Sequence, residues 1–340
     1  MKKEKYSKRD VVIVFVHGIN VTSQDYYVPM RDALLRSLPR ADRPYVIFRA
    51  VFWADLLRGR QQEYLLYAST QCRFKPTRLH KMVIEGLGDA AAYQKSEFRN
   101  SAYYDIQSRL RKTIADGSTG PGDRRPLFFV GHSLGCHIVS SYAWDMHKLK
   151  HKVRMNPGTD VFADASMRAF DVWKDHDWKS PFECLDTFAG FVSMGSNQPL
   201  FTFNIGAQFV HPITRAQDAA TKPAFPGEAL DASVKSQARY LNFYSWNDPL
   251  GYPLKPLNDA FDDEPLLTDI HTFSEGYVRS FFLRGWLRQL IGIRAHSGYW
   301  TNRKVLRHTA ALLSNIINAD ELAARESRRM AKAAPPVAAA

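Results

Sequence analysis

Short, almost wholly apolar runs punctuate the chain. Val11–Val16, residues 45–53, residues 127–130 and Phe188–Met194 are dense in β-branched and aromatic side chains with little polar alternation. Strands of that composition are buried on both faces, as in a parallel sheet whose crossover helices cover it above and below. Residues 240–245 alternate and are aromatic-rich, which reads as a further strand, and a last short strand is expected over 269–273. Between the runs the spacing turns helical. Residues 26–38 read as a helix ended by Pro39, with Met30, Ala33, Leu34 and Ser37 on its inner face. Ile138, Val139, Tyr142, Met146 and Leu149 recur at three- and four-residue steps, one face of a second helix. Another helical run spans 302–317.

Strands alternating with helices predict an α/β fold, with a mostly parallel central sheet flanked by helices. With 340 residues the chain is long enough for one large domain with insertions. The expected layout is a basic N-terminal arm over 1–10, one domain over 11–318, and a charged, low-complexity tail over 319–340. Two segments interrupt the strand–helix rhythm. Residues 56–112 interleave apolar side chains with Arg and Lys and read as two or three helices broken at Pro76, one of them a cover. Residues 150–186 have no clear period and read as an irregular insertion.

Composition narrows the picture little, charge somewhat more. The basic start followed by apolar residues 11–16 imitates a secretory signal, but the apolar part is short and no small-residue cleavage site follows. A cytoplasmic protein without a membrane span is the expectation. The three cysteines, Cys72, Cys136 and Cys184, are far apart and form neither a metal-ligand spacing nor a disulfide framework. No metal and no cofactor is expected. The formal net charge is +12. Half of it falls in residues 56–112, which carry eleven Lys and Arg against five Asp and Glu. No nucleic-acid motif accompanies this charge, so no nucleic-acid partner is expected, and the basic balance is read either as a solvated surface or as peripheral contact with an anionic membrane. The basic aromatic stretch 277–293 has the composition of a lipid-docking segment, but Arg279 falls within its apolar arc, so packing against the body is the expectation.

The chemistry concentrates where the 127–130 run meets Gly131-His132-Ser133-Leu134-Gly135. An apolar strand running into G-x-S-x-G and then an amphipathic helix is the pattern of a nucleophile elbow. The serine must sit on a sharp turn so that its hydroxyl projects above the sheet edge. Gly131 and Gly135 leave no Cβ where strand and helix would collide. The Leu134 N–H then lies at a helix N-terminus, aimed at an oxyanion forming beside Ser133. The first strand ends in His17-Gly18-Ile19, where Gly18 permits a turn and the Ile19 N–H would be a second oxyanion donor. Asp248 follows the 240–245 strand, fixed by Pro249, and suits an acid that orients a histidine. Its rivals are Asp55, Asp259, Asp262, Asp263 and Asp269. His296 comes after both Ser133 and Asp248, in the chain order Ser, Asp, His, with His271 and His308 as rivals.

In F-V-H-G-I at 15–19, G-H-S-L-G at 131–135, N-D-P-L-G-Y-P-L at 247–254 and A-H-S-G-Y-W at 295–300, the chain resembles the α/β-hydrolase superfamily, and within it lipase-like serine esterases. That resemblance implies the α/β-hydrolase fold with helical insertions. It implies a triad of Ser133, Asp248 and His296, with oxyanion donors from Ile19 and Leu134. The activity it implies is hydrolysis of a carboxylic ester, small-molecule or lipid-like, through an acyl-enzyme. Transfer of the acyl group to another acceptor, cleavage of a thioester, and a non-catalytic scaffold are the competing readings.

Overall fold

The computed structural model describes every residue outside 1–5, 97–100, 164–166, 168–169, 171–172, 175, 204–205, 207, 209, 216–221, 274–294 and 334–340. The stretch 277–293 therefore lies outside the described residues.

Six strands form the sheet: β1 (Val11–Val16), β2 (Val46–Val51), β3 (Leu127–His132), β4 (Phe188–Met194), β5 (Arg239–Tyr244) and β6 (Leu267–His271). Every pairing is parallel and the order is β2-β1-β3-β4-β5-β6. The strands are continuous apolar runs because both faces are covered. In β1, Val12, Val14 and Val16 belong to one core and Val11, Ile13 and Phe15 to the other. The helices divide accordingly. On the first face lie α4 (Ala102–Ala115) and α5 (Leu134–Met155), contributing Ile106, Leu110, Ile138 and Tyr142. On the second lie α1 (Val28–Ser37) and the helix Arg303–Ile317, contributing Met30, Leu34, Val305 and Leu313. Ser37, expected on the inner face of α1, is exposed; Leu38 fills that place. Helix formation has ended there, and the extended backbone at Leu38 turns its side chain inward.

The basic segment after β2 forms a hairpin of α2 (Asp55–Gln71) and α3 (Arg78–Ala92), with Pro76 in the turn, before α4. Thr77 caps α3: its hydroxyl accepts from the His80 N–H while the His80 ring accepts from the Thr77 N–H. The 150–186 segment is less separate than its sequence implies, since α5 continues to Met155. Three short helices, α6 (Gln198–Thr202), α7 (Ala232–Gln237) and α8 (Asp259–Asp262), precede α9 (Arg303–Ile317) and α10 (Ala319–Ala333). The start of the charged tail is tied down. Arg9 donates to Asp320 at 2.8 Å and Ser233 Oγ to the same carboxylate at 2.6 Å. No helix among the described residues is long and apolar enough to cross a membrane.

The strand order places the site. From β1 the chain runs outward one way to β2, and from β3 the other way to β6. The loops after β1 and β3 therefore diverge and leave a crevice at the carboxyl ends of the strands, the position where open α/β sheets bind ligands. Ser133 follows β3 and His17-Gly18-Ile19 follows β1.

Candidate active site

Ser133 has φ +54 and ψ −125, a backbone conformation that costs a side-chain-bearing residue roughly 1–3 kcal/mol. Its surroundings over-determine that turn. The Ser133 N–H donates to the Met194 carbonyl of β4 at 2.9 Å. A Cβ on Gly135 would lie 2.2 Å from the Val16 carbonyl oxygen, so α5 can start against β1 only with glycine there. Gly131 is likewise pressed against Cys136 backbone. A Cβ on Gly18 would stand 2.5 Å from Ser133 Cβ, which puts the loop after β1 directly on the serine. The Ser133 hydroxyl is buried and has no hydrogen-bond partner among the described residues. Leu134 opens the 22-residue α5, and its N–H is one of those a helix start leaves without an intrahelical acceptor.

His17 sets the orientation of the loop that carries Ile19. It is fully buried, stacked on Trp53 at 4.7 Å, and its Nε2 accepts from the Trp53 N–H at 3.1 Å. The proton therefore sits on Nδ1 and is donated to the Gly18 carbonyl at 2.7 Å. In a trans peptide the carbonyl of Gly18 and the N–H of Ile19 point in opposite directions. Holding the one fixes the other, away from the imidazole. Burial pushes the His17 ring down to about 4, so it stays neutral. Trp53 indole in turn donates to the His17 carbonyl at 3.0 Å.

Asp248 and His296 meet. His296 Nδ1 lies 2.9 and 3.0 Å from the two carboxylate oxygens of Asp248, and both side chains are buried. The Leu250 N–H and the Tyr299 hydroxyl donate to the same carboxylate at 2.9 and 2.8 Å. Burial alone would raise the Asp248 carboxyl, but the hydrogen bond and charge of His296 and these two donors hold it below the usual carboxylate value. The ring nitrogen facing away, His296 Nε2, is buried and unpaired among the described residues, like Ser133 Oγ. His132 links the two loops: its Nε2 donates to the His296 carbonyl at 2.6 Å, and the two rings lie 4.8 Å apart.

The rival residues lie elsewhere. Asp269 belongs to a buried polar ladder across the sheet, where Ser193 donates to Asn242 and Asn242 to Asp269 at 2.7 Å each. Asp269 also accepts from the Leu254 and Lys255 N–H groups, which anchors the loop bearing Asp248. Asp55 pairs with Arg109 at 3.3 Å on an exposed helix start, and Asp259, Asp262 and Asp263 are exposed. His271 packs on Trp246 and Phe273, and His308 is half-buried against Phe243. Cys136 donates weakly to the Met194 carbonyl, and burial pushes its thiol up to about 12, which leaves it inert. Gln198 donates to the Cys136 carbonyl at 3.2 Å and, with His137, Phe201 and Tyr240, lines a cavity of about 130 Å³ along α5, one turn beyond Ser133. Among the described residues no three His, Cys, Asp or Glu side chains converge as a metal cage.

Two residues of the site escaped sequence reading. Tyr299 was within reach of it, three positions after His296 in A-H-S-G-Y-W. His132 was read only as the variable position of the elbow, and no local signal connects it to a residue 164 positions away. No protein-family model matches the chain, and no curated protein or solved structure matches it either.

Proposed function

We propose that the chain is a serine hydrolase of the α/β-hydrolase fold that cleaves carboxylic esters. One observation supports this reading: a strained, buried Ser133 ends β3 at the sheet's topological crevice, and its neighbour His132 is hydrogen-bonded to the backbone of a histidine that is itself paired with a buried aspartate. Ser133 Oγ attacks the ester carbonyl carbon while His296 Nε2 takes the hydroxyl proton. The carbonyl oxygen becomes an oxyanion between the Ile19 and Leu134 N–H groups. The carbon–oxygen bond to the alcohol then breaks, and His296 returns the proton to the leaving alkoxide. Water, deprotonated by the same histidine, attacks the acyl-enzyme and releases the acid and free Ser133. Asp248 keeps the Nδ1–H tautomer and stabilises the imidazolium. The hydrogen bond between Ser133 and His296 is open in this structure, as is common in hydrolase sites without substrate.

The apolar cavity of about 130 Å³ beside α5 is lined by none of Ser133, Asp248 and His296 but starts one helical turn beyond Ser133. Taken as the acyl site it would suit a short chain, since its volume is below the roughly 300–1,000 Å³ of pockets that enclose a drug-sized ligand. Hydrolysis of p-nitrophenyl esters of increasing chain length tests the proposal. Activity should be highest on short chains, and Ser133→Ala should lower kcat on the order of 10⁴-fold or more. A fluorophosphonate should label the wild type at Ser133 and leave the variant unlabelled. Full activity in Ser133→Ala would overturn the reading.

A further inference from the structure

The outer half of the α2–α3 hairpin is an exposed apolar surface set in positive charge. Leu79, Met82, Val83 and Gly86 share one face of α3 by their spacing. Gly86 is buried on the body, but Leu79, Met82 and Val83, one to two turns outward, are 62%, 43% and 42% exposed. The face that packs at the base of the helix therefore continues beyond the body, and none of the described residues covers it. Tyr64 and Tyr67 on α2 are 60% and 65% exposed, and Phe74 lies in the turn between the helices. An isolated exposed leucine is ordinary; a row of them on one projecting hairpin is not.

Charge identifies the occupant. Between Glu63 and Glu85 the sequence holds no acidic residue, while Arg73, Lys75, Arg78 and Lys81 give this stretch a charge of +4. None of the four makes an ion pair among the described residues. Tyrosine, phenylalanine and aliphatic side chains ringed by unpaired cations match the depth profile of a bilayer surface, with apolar groups below the headgroups and cations among the phosphates. A protein partner of ordinary composition would meet these cations with carboxylates but would have no need of so continuous an aliphatic row.

The base of the same hairpin holds the loop after β1. Asp89 accepts from the Asn20 backbone N–H and from Gln61 Nε2, the latter at 2.8 Å. Arg58 donates to the Val21 carbonyl at 2.9 Å, and a Cβ on Gly86 would stand 2.6 Å from Asn20 Nδ2. Asn20 and Val21 directly follow Ile19, so the projecting surface and the loop over Ser133 belong to one packed unit.

We propose that the distal end of this hairpin docks the protein on an anionic lipid bilayer, with the loop after β1 turned toward that surface. The docking is independent of the acyl chemistry assigned to Ser133. Sedimentation of the full chain with phosphatidylcholine vesicles, and with vesicles holding roughly 30 mol % phosphatidylglycerol, tests it. The protein should bind the anionic vesicles, leave neutral ones in the supernatant, and be released by about 1 M salt, where screening is nearly complete. Each cation removed should weaken partitioning about fivefold, so Lys75→Glu with Arg78→Glu should lose at least about thirtyfold. Met82→Ser with Val83→Ser should also release the protein, while both double variants keep wild-type turnover of a soluble short-chain ester. Ser133→Ala should bind like wild type, which separates a failure of docking from a failure of catalysis. Equal binding to neutral vesicles, no binding to either, or unchanged binding by both double variants would overturn the proposal. Self-association lost in the same variants, without vesicle binding, would assign the face to a second copy of the chain instead.

Discussion

His132 occupies the position between glycine and serine where side-chain identity is least constrained by the turn, yet it makes the contact that joins the two halves of the site. Burial first, and then the proximity of His296, push its ring down to about 3. It is neutral, and its Nε2–H holds the His296 carbonyl. His132 is thus a positioning residue: it touches the backbone of the proposed base and no reacting atom. His132→Phe keeps a ring in the space and removes the donor. We expect kcat to fall on the order of tenfold or more with KM for a short ester unchanged, and stability to drop by about 1–3 kcal/mol. His132→Gln, which restores an N–H, should recover part of both. Steady-state kinetics beside urea unfolding checks this, since a purely structural role would move stability alone.

The elements divide into those whose sequence speaks for them and those that depend on distant partners. β1, β3 and β4 were legible because a strand buried on both faces must be apolar throughout, and the glycines around Ser133 because α5 begins in contact with β1. Asp248 and His296 could be placed by chain order and by the strand and loop before them. The direction in which α3 faces could not be read, because periodicity marks an apolar face without saying whether the body reaches far enough to cover it. The hold of Asp89 and Arg58 on the loop after β1 was hidden for the same reason. Glycine supplies a sharp contrast at this scale. Gly135→Ala forces a methyl into the Val16 carbonyl and should prevent accumulation of soluble, folded protein. Gly59, within α2, has nothing within 4 Å of its absent Cβ. Gly59→Ala should therefore stabilise the protein by about 0.5–1 kcal/mol, read as a higher urea midpoint at constant m-value.

Across the whole molecule, burial keeps five histidines neutral. His17, His137, His147 and His176 are pushed down to about 4 and His132 to about 3. Unfolding returns each to about 6.5, so between those values the unfolded chain binds more protons and stability falls as pH falls. Each histidine contributes a slope of up to about 1.4 kcal/mol per pH unit. Asp89, raised by burial to about 6, and Glu183, also raised by burial, work the other way and offset part of the loss. Urea unfolding should thus show a clearly lower midpoint at pH 5 than at pH 7.5. A flat profile would mean that the folded protein accommodates charged imidazoles. The clamp between Arg9, just before β1, and the residues around α10 has a different consequence. Arg9 donates its backbone N–H to the Ile317 carbonyl and its side chain to Asp320, and the clamp spans 311 positions. During synthesis β1 and the serine turn leave the ribosome long before the residues that seal them, and His296 follows late as well. A nascent or truncated chain that stops before His296 therefore carries Ser133 without its proposed base, and under the proposed mechanism it gains its chemistry only once that later residue has been made.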